Sequence, residues 1–135
     1  MKLRELSQLY HLSAEIKECR QRLKDLEDSL VRISAPEFKE RSHPTGYVQS
    51  KIDALTAEIV DLKVIILSRE TQCVAEKNRL ERYIAQIDDS YTRRIFTLRF
   101  VEGLTWLQVA QKIGNNTEAS VRNACIRYLE KTNKK

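Results

Sequence analysis

The strongest constraint on the fold is an unbroken heptad spacing near the N-terminus. Between its apolar positions, the residues are nearly all charged or polar. An apolar residue that recurs at alternating spacings of three and four forms one narrow stripe along a helix, which packs against another helix. The segment is therefore predicted to be a long amphipathic helix that needs a helical partner. Its stripe consists of Leu9, Leu12, Ile16, Cys19, Leu23, Leu26, Leu30 and Ile33.

A second heptad stripe follows, and a segment that disfavours helix separates it from the first. The stripe runs from Val48 to Ile87, with Arg69 and Glu76 as polar interruptions. Residues 34–46 contain both prolines of the chain and a glycine. Because proline lacks an amide donor and restricts the residue before it, these residues are predicted to form a loop between two helices.

Two heptad helices joined by a loop are predicted to fold back as an antiparallel hairpin over residues 1–88. With helix ends near 34 and 46, facing residue numbers should add to about 80. Cys19 is then expected opposite Asp61, and Cys73 opposite Ser7. The two cysteines would lie ~18 Å apart along the axis, too far for a disulfide. An extended parallel coiled coil between chains is the alternative arrangement.

The second helix carries more apolar surface than one hairpin partner can cover. Its additional stripe lies on the face opposite Ile59, Leu62 and Ile66. An uncovered stripe favours a further partner, most simply a second copy of the chain, although packing on the C-terminal third is the alternative. The sequence therefore predicts a homodimer or higher oligomer. The predicted oligomerisation residues are Val60, Val64, Leu67 and Val74.

Composition favours an all-α fold. Glycine occurs 3 times and proline 2 times in 135 residues, too few for the turns of a sandwich or barrel. No apolar run approaches the ~20 residues that span a bilayer, and the charged N-terminus does not resemble a signal peptide. We therefore expect an intracellular protein with no membrane partner. Without ligand-spaced histidines or cysteines, we expect no metal site and three reduced, buried thiols.

The positive charge is concentrated in the last third of the chain. Residues 1–88 hold 15 basic and 15 acidic residues, whereas residues 89–135 hold 9 basic and 4 acidic ones. The whole net charge of +5 therefore lies after residue 88. Such asymmetry predicts a polyanionic partner for the basic part, although a solvated basic tail has the same composition.

A new helix is predicted at the start of this basic segment. Asp89 and Ser90 are residue types that cap helix N-termini, and Gly103 suits the left-handed position after a helix end. The helix is predicted to turn an apolar stripe inward. That stripe consists of Ile95, Leu98 and Val101, widened by Phe96 and Phe100.

Two further helices complete a predicted helix-turn-helix over residues 89–135. Thr105 and Gln108 form a T-x-x-Q capping box before a short helix that Gly114 ends. Asn115 and Asn116 are predicted to make the turn. The last helix should run from about Thr117 to Lys131, with Val121, Cys125, Tyr128 and Leu129 inward.

The outward face of the last helix carries side chains suited to DNA bases. Arginine pairs with guanine and asparagine with adenine in the major groove, although both are also common on solvated helices. The outward residues are Glu118, Ser120, Arg122, Asn123, Ile126 and Arg127. The residues expected to contact phosphates at helix N-termini or flanks are Thr105, Gln108, Lys112 and Thr117, with Arg94 as a further cation.

The stretch from Arg93 to Lys131 resembles the sigma-70 region 4 helix-turn-helix. It is more closely similar to small phage and prophage transcriptional regulators of the RinA/ArpU-like kind, which pair this module with an N-terminal heptad segment. The resemblance is specific over residues 93–129 and weak over 1–88. The matching residues are Arg99, Phe100, Gly103, Leu104, Trp106, Val109, Ala110, Ile113, Gly114, Val121, Arg122 and Arg127.

The resemblance implies a sequence-specific transcriptional regulator that binds double-stranded DNA in the cytoplasm of a bacterial host, without a cofactor. The chain departs from the sigma module at two places. Val121 lies seven residues after Gly114, one more than usual, and Leu107 stands where an acid is usual. The chain also lacks the sigma regions that bind core polymerase, so a complete sigma factor is not expected.

The sequence carries no pattern typical of an enzyme. It has no Gly-rich phosphate loop, no nucleophile–base grouping at a suggestive spacing and no metal cluster. Two alternatives to the regulator stay open. One is a DNA-packaging subunit of the small terminase kind. The other is a coiled-coil adaptor whose helix-turn-helix contacts RNA polymerase, for which Leu107 and Ile126 could supply an exposed apolar surface.

Overall fold

The protein is all-α, as its sequence predicts. The structure, a computed structural model, describes residues 1–35 and 45–134, and these contain no strand. The helices are α1 (Leu3–Leu6), α2 (Gln8–Ser34), α3 (Thr45–Ala85), α4 (Ser90–Phe96), α5 (Trp106–Ile113) and α6 (Glu118–Asn133), and a π-helical segment (Thr97–Val101) continues α4. Most of the predicted loop, residues 34–46, lies outside the described residues.

The chain divides into two compact units. The hairpin unit comprises Ala14–Thr71, and the terminal unit comprises Met1–Ser13 together with Gln72–Lys135. In the hairpin unit α2 and α3 pack along their heptad stripes. Cys19, Leu62 and Ile66 form a buried cluster, against which Leu23 and Leu26 pack. The predicted antiparallel hairpin is thus present within this unit.

Ion pairs flank the apolar layers of the hairpin unit and show its register. Arg69 donates from Nε to Glu15 Oε1 at 2.8 Å, and Lys63 Nζ lies 3.8 Å from Glu27. This hydrogen bond raises the pKa of Arg69 further above its ordinary value. The predicted sum of about 80 places Glu15 opposite position 65, whereas its observed partner is Arg69, about one helical turn further along α3. The helix ends themselves match the prediction, at Ser34 and Thr45, but the connection between them is long enough to leave the register to the apolar layers and their flanking charges.

The terminal unit has its own core, in which Phe96 is fully buried. The Phe96 ring lies 5.4 Å from the rings of Phe100 and Tyr128 and 6.4 Å from that of Tyr83, measured between centroids. These aromatic contacts join α3, α4 and α6. Around them lie Leu6, Leu9, Leu80, Ile84, Ile87, Ile95, Leu98, Val109, Ala110, Val121, Cys125 and Leu129.

This core extends beyond the predicted 89–135 domain. Leu6 and Leu9 share it with Leu80 and Ile84, so the first turns of the chain and the end of α3 belong to the terminal unit. The predicted boundary between residues 88 and 89 follows the change of charge and the helix break. The compact unit instead follows the apolar contacts, which cross that break.

The start of α4 matches its predicted cap. The Asp89 carboxylate accepts hydrogen bonds from the Thr92 hydroxyl at 2.6 Å and from the Thr92 amide at 3.1 Å. These bonds hold the pKa of Asp89 below its ordinary value, so the cap stabilises the fold at neutral pH and is lost as acid protonates the carboxylate. Beyond α4, Gly103 has φ +73°, and the Leu104 amide donates to Leu98 O at 3.1 Å to close the helix end.

We expect the core of the terminal unit to be sensitive to truncation. Leu80→Ala should destabilise it by about 2–5 kcal/mol, because Leu80 is fully buried. Leu107→Ala is the matched control, since more than half of Leu107 is exposed, and it should cost less than about 0.5 kcal/mol. Urea unfolding followed by Trp106 fluorescence measures both. Equal midpoints for the two variants would contradict the assigned core.

The three cysteines are free and differ in their surroundings. Cys19 and Cys125 are buried, as predicted, whereas Cys73 is only partly buried. Burial raises the pKa of Cys125 to about 12, so its thiol is protonated at neutral pH. Because the thiolate is the reactive form, this thiol should be inert in the folded protein.

Alkylation with iodoacetamide at pH 8 should therefore modify Cys73 first. Cys125 should react only after urea is added, which peptide mass analysis can follow site by site. A Cys73→Ser variant is the control and should lose the early modification. Rapid modification of Cys125 without denaturant would show that α6 does not bury this thiol.

Candidate nucleic-acid interface

α5 and α6 begin with the side-chain caps that their sequences predict. The Thr105 side chain accepts from the Gln108 amide at 3.2 Å, and the Gln108 side chain accepts from the Thr105 amide at 3.0 Å. At the start of α6, the Thr117 hydroxyl accepts from the Ser120 amide at 3.1 Å. The capping box is confirmed, and both helix starts are fixed by local hydrogen bonds.

The connection between α5 and α6 is organised by Asn116. Gly114 and Asn115 both have positive φ, +81° and +55°, conformations that glycine and asparagine adopt at low cost. Asn116 then donates from Nδ2 to Gly114 O at 2.8 Å. Its Oδ1 accepts from the Tyr91 hydroxyl at 3.0 Å, and the Ser120 hydroxyl lies 3.4 Å from the same atom. These bonds fix the angle at which α6 leaves α5.

α6 separates an apolar face from a polar one. Val121, Cys125 and Leu129 are buried against the core, and the helix packs on both α4 and α5. The buried face matches the prediction, except that Tyr128 is only partly buried. The opposite face is exposed and consists of Glu118, Ala119, Arg122, Asn123, Ile126, Arg127 and Glu130. The ionic groups on this face are two arginines and two glutamates, so the face carries no net charge, and Asn123 adds a side-chain amide.

Not all the arginines of the basic segment are free to meet a ligand. Arg99 donates to Leu104 O at 2.9 Å, and its guanidinium lies 4.7 Å from the Trp106 ring centroid, so it closes the end of α4. Arg93 donates to Ile87 O at 3.1 Å. Arg94 is exposed. The charge that faces solvent is therefore smaller than the sequence count suggests.

A shallow cavity of about 360 Å³ lies beside these cations. Its walls include Arg93, Arg94 and Lys112, the hydroxyl residues Ser90 and Thr97, and the apolar residues Ile84 and Leu98, and most of its surface is apolar. Lys112 also lies 3.6 Å from Glu102, and both side chains remain exposed. Arg94 and Lys112 are the cations that could meet a phosphate at its rim, because Arg93 donates to Ile87 O and the Thr97 hydroxyl donates to Arg93 O.

The structure brings the predicted DNA-contacting residues onto two surfaces of the terminal unit. Arg122, Asn123, Ile126 and Arg127 share the exposed face of α6, and Arg94 and Lys112 share the cavity. Thr105, Gln108 and Thr117 use their side chains as caps. Ser120 was predicted to face outward, but it is partly buried beside Asn116. The reason is that its position on the helix turns its hydroxyl toward the connection.

Sequence reasoning missed the role of Tyr91. Its hydroxyl links the start of α4 to the turn before α6, across 25 residues. Nothing in the spacing of Tyr91 and Asn116 indicates this contact, because it depends on how α4 packs against the turn.

The predicted oligomerisation residues are exposed. Val60, Val64 and Leu67 lie in the hairpin unit, and Val74 lies in the terminal unit.

Comparison of the chain with protein-family models, with curated proteins and with solved structures gives no match. Within residues 1–35 and 45–134, no group of His, Cys, Asp and Glu side chains could hold a metal ion. Over the same residues, no helix combines the length and the apolarity needed to cross a bilayer.

The Asn116 network should contribute measurably to the stability of the terminal unit. Tyr91→Phe removes one hydroxyl and is expected to cost about 0.5–1.5 kcal/mol, with helical content unchanged by circular dichroism. Tyr10→Phe is the matched control, because the Tyr10 side chain is more than half exposed. If both variants unfold at the same urea concentration as the parent chain, the Tyr91–Asn116 bond has no energetic role.

Proposed function

We propose that the chain is a sequence-specific, double-stranded DNA-binding transcriptional regulator of the phage type, which acts in the bacterial cytoplasm as a dimer or higher oligomer. The observation that carries the proposal is the exposed face of α6. It presents Arg122, Asn123 and Arg127 on a helix whose other face is anchored in the core.

The geometry supports readout in the major groove. A recognition helix needs a fixed exit angle from the preceding helix and free side chains on its outer surface. Asn116 fixes that angle, and Arg122 and Asn123 have the donors and acceptors that distinguish guanine and adenine. Arg127 already donates from Nε to Asn123 O at 3.3 Å, which orients its guanidinium along the helix surface.

The remaining cations suit contacts that do not depend on sequence. Arg94 and Lys112 line the cavity on the terminal unit, where phosphate groups could be held. Neutralising phosphates releases counterions, so binding should weaken steeply as salt rises. Oligomerisation through the exposed stripe would present two copies of α6 and raise the affinity for paired half-sites.

A specific observation favours one second candidate, an adaptor that contacts RNA polymerase. Leu107 is more than half exposed at the start of α5, and Ile126 is exposed on α6. Exposed apolar side chains of this kind are typical of protein contacts. A Leu107→Glu variant that still binds DNA but no longer binds purified RNA polymerase would favour the adaptor.

DNA binding can be tested with Arg122→Ala and Arg127→Ala. The probes are a duplex selected from a random-sequence library by the parent chain and an unselected duplex of equal length. Each variant should bind the selected duplex about 5- to 150-fold more weakly by fluorescence anisotropy, because a lost base contact costs about 1–3 kcal/mol. Affinity for the unselected duplex should change much less.

Arg22→Ala is the matched control, because Arg22 is an exposed arginine on α2 in the hairpin unit. It should leave both affinities within about twofold. If the parent chain binds no duplex even at low salt, the proposed function is wrong. If it binds but neither α6 variant loses affinity, then α6 is not the recognition element.

A further inference from the structure

The exposed stripe of α3 is itself a coiled-coil seam. Ala57, Val60, Val64, Leu67 and Thr71 follow one another at alternating spacings of three and four, and all five are exposed. Val60, Val64 and Leu67 are 55%, 64% and 65% exposed. A heptad spacing specifies a helix as the partner, because only a helix meets such a seam along its length.

The other face of α3 is already covered within the hairpin unit. Ile59, Leu62 and Ile66 are buried, and Leu62 and Ile66 pack against Cys19 of α2. At 100° per residue, the exposed seam lies roughly 150° around α3 from this buried stripe. A helix can therefore dock on the exposed seam without displacing α2.

The charged residues beside the seam include one of each sign, so they could pair with the same two residues of a second copy. Lys63 and Glu70 flank it on one side, one heptad apart, with 60% and 39% of their side chains exposed. Each also pairs with a residue of α2, Lys63 with Glu27 and Glu70 with Arg20. Both charges keep enough exposed surface to meet a further partner.

We propose that the seam binds the same seam of a second copy in antiparallel orientation, about a two-fold axis between positions 65 and 66. This deepens the oligomer in the proposed function and rests on it. Val60 then faces Thr71 of the second copy, and Val64 faces Leu67. In this register Lys63 of each copy meets Glu70 of the other copy, which gives two equivalent ion pairs related by the axis.

A parallel pair lacks this complementarity. There, each flanking residue meets the residue five positions later in the other copy. Lys63 would meet Ser68, Thr56 would meet Asp61, and Glu70 would meet Ala75. None of these pairs joins opposite charges, so the flanking charges favour the antiparallel dimer.

Cysteine cross-linking in the full-length chain tests the register. Val60→Cys and Thr71→Cys are each made in a Cys73→Ser background. This background removes the one native thiol that is partly exposed, whereas Cys19 and Cys125 are buried. The two variants are mixed under reducing conditions, allowed to exchange and then mildly oxidised. The mixture should give a disulfide-linked dimer, because positions 60 and 71 face each other in the proposed register.

Neither variant alone should cross-link. In the antiparallel pair, position 60 lies roughly 16 Å along the axis from position 60 of the other copy, beyond the reach of a disulfide. The matched control mixes Thr71→Cys with Glu58→Cys, an exposed position away from the seam, and should give no dimer. Positions 58, 60 and 71 are exposed, and Cys73→Ser is a nearly isosteric change at a partly buried position, so the fold should be retained, which circular dichroism checks.

Two results would overturn the inference. A dimer formed by Val60→Cys alone would show a parallel pair. A chain that sediments as a monomer at all concentrations would show that no second copy occupies the seam. The same preparations are assayed on the selected duplex, so a wrong register with intact DNA binding is distinguished from a failure of the proposed function.

Discussion

The terminal unit depends on the burial of Phe96. Its ring meets Phe100 of the π-helical segment and Tyr128 of α6 edge to face and lies tilted against Tyr83 of α3, and such aromatic pairs add to the energy of burial. A single side chain therefore fixes three helices together. Because α6 is held from its inner face, its outer face is left free for polar and charged residues. The candidate interface is a consequence of this core.

Local signals predicted the helix starts well, because a cap depends on a few neighbouring residues. Asp89, Thr105 and Thr117 each cap the helix that their sequence indicates. The hairpin register and the limits of the compact units were predicted less well. Both depend on residues far apart in the chain, such as the ion pair of Glu15 with Arg69 and the core that Leu6 shares with Leu80. A heptad pattern shows which face is buried but does not determine which turn faces which.

The same distinction applies to the candidate interface. The sequence identified Arg122, Asn123 and Arg127 as outward residues, since their positions follow from helical periodicity once Val121 and Cys125 are assigned inward. It could not separate arginines that face solvent from those that stabilise the fold. Arg99 stacks on Trp106 and bonds a backbone carbonyl, and no feature of its sequence neighbourhood predicts this. A count of charges therefore overstates the surface available to a polyanion.

The two proposals constrain each other through symmetry. An antiparallel helix pair about a two-fold axis is an isologous interface, in which each copy contributes the same seam. If such a dimer binds DNA through both copies of α6, the most favourable site shares its two-fold axis and consists of inverted half-sites. A duplex selected by the parent chain should then contain an inverted repeat. The spacing of that repeat depends on where α6 lies in each copy, whereas its inversion follows from the two-fold symmetry of the dimer.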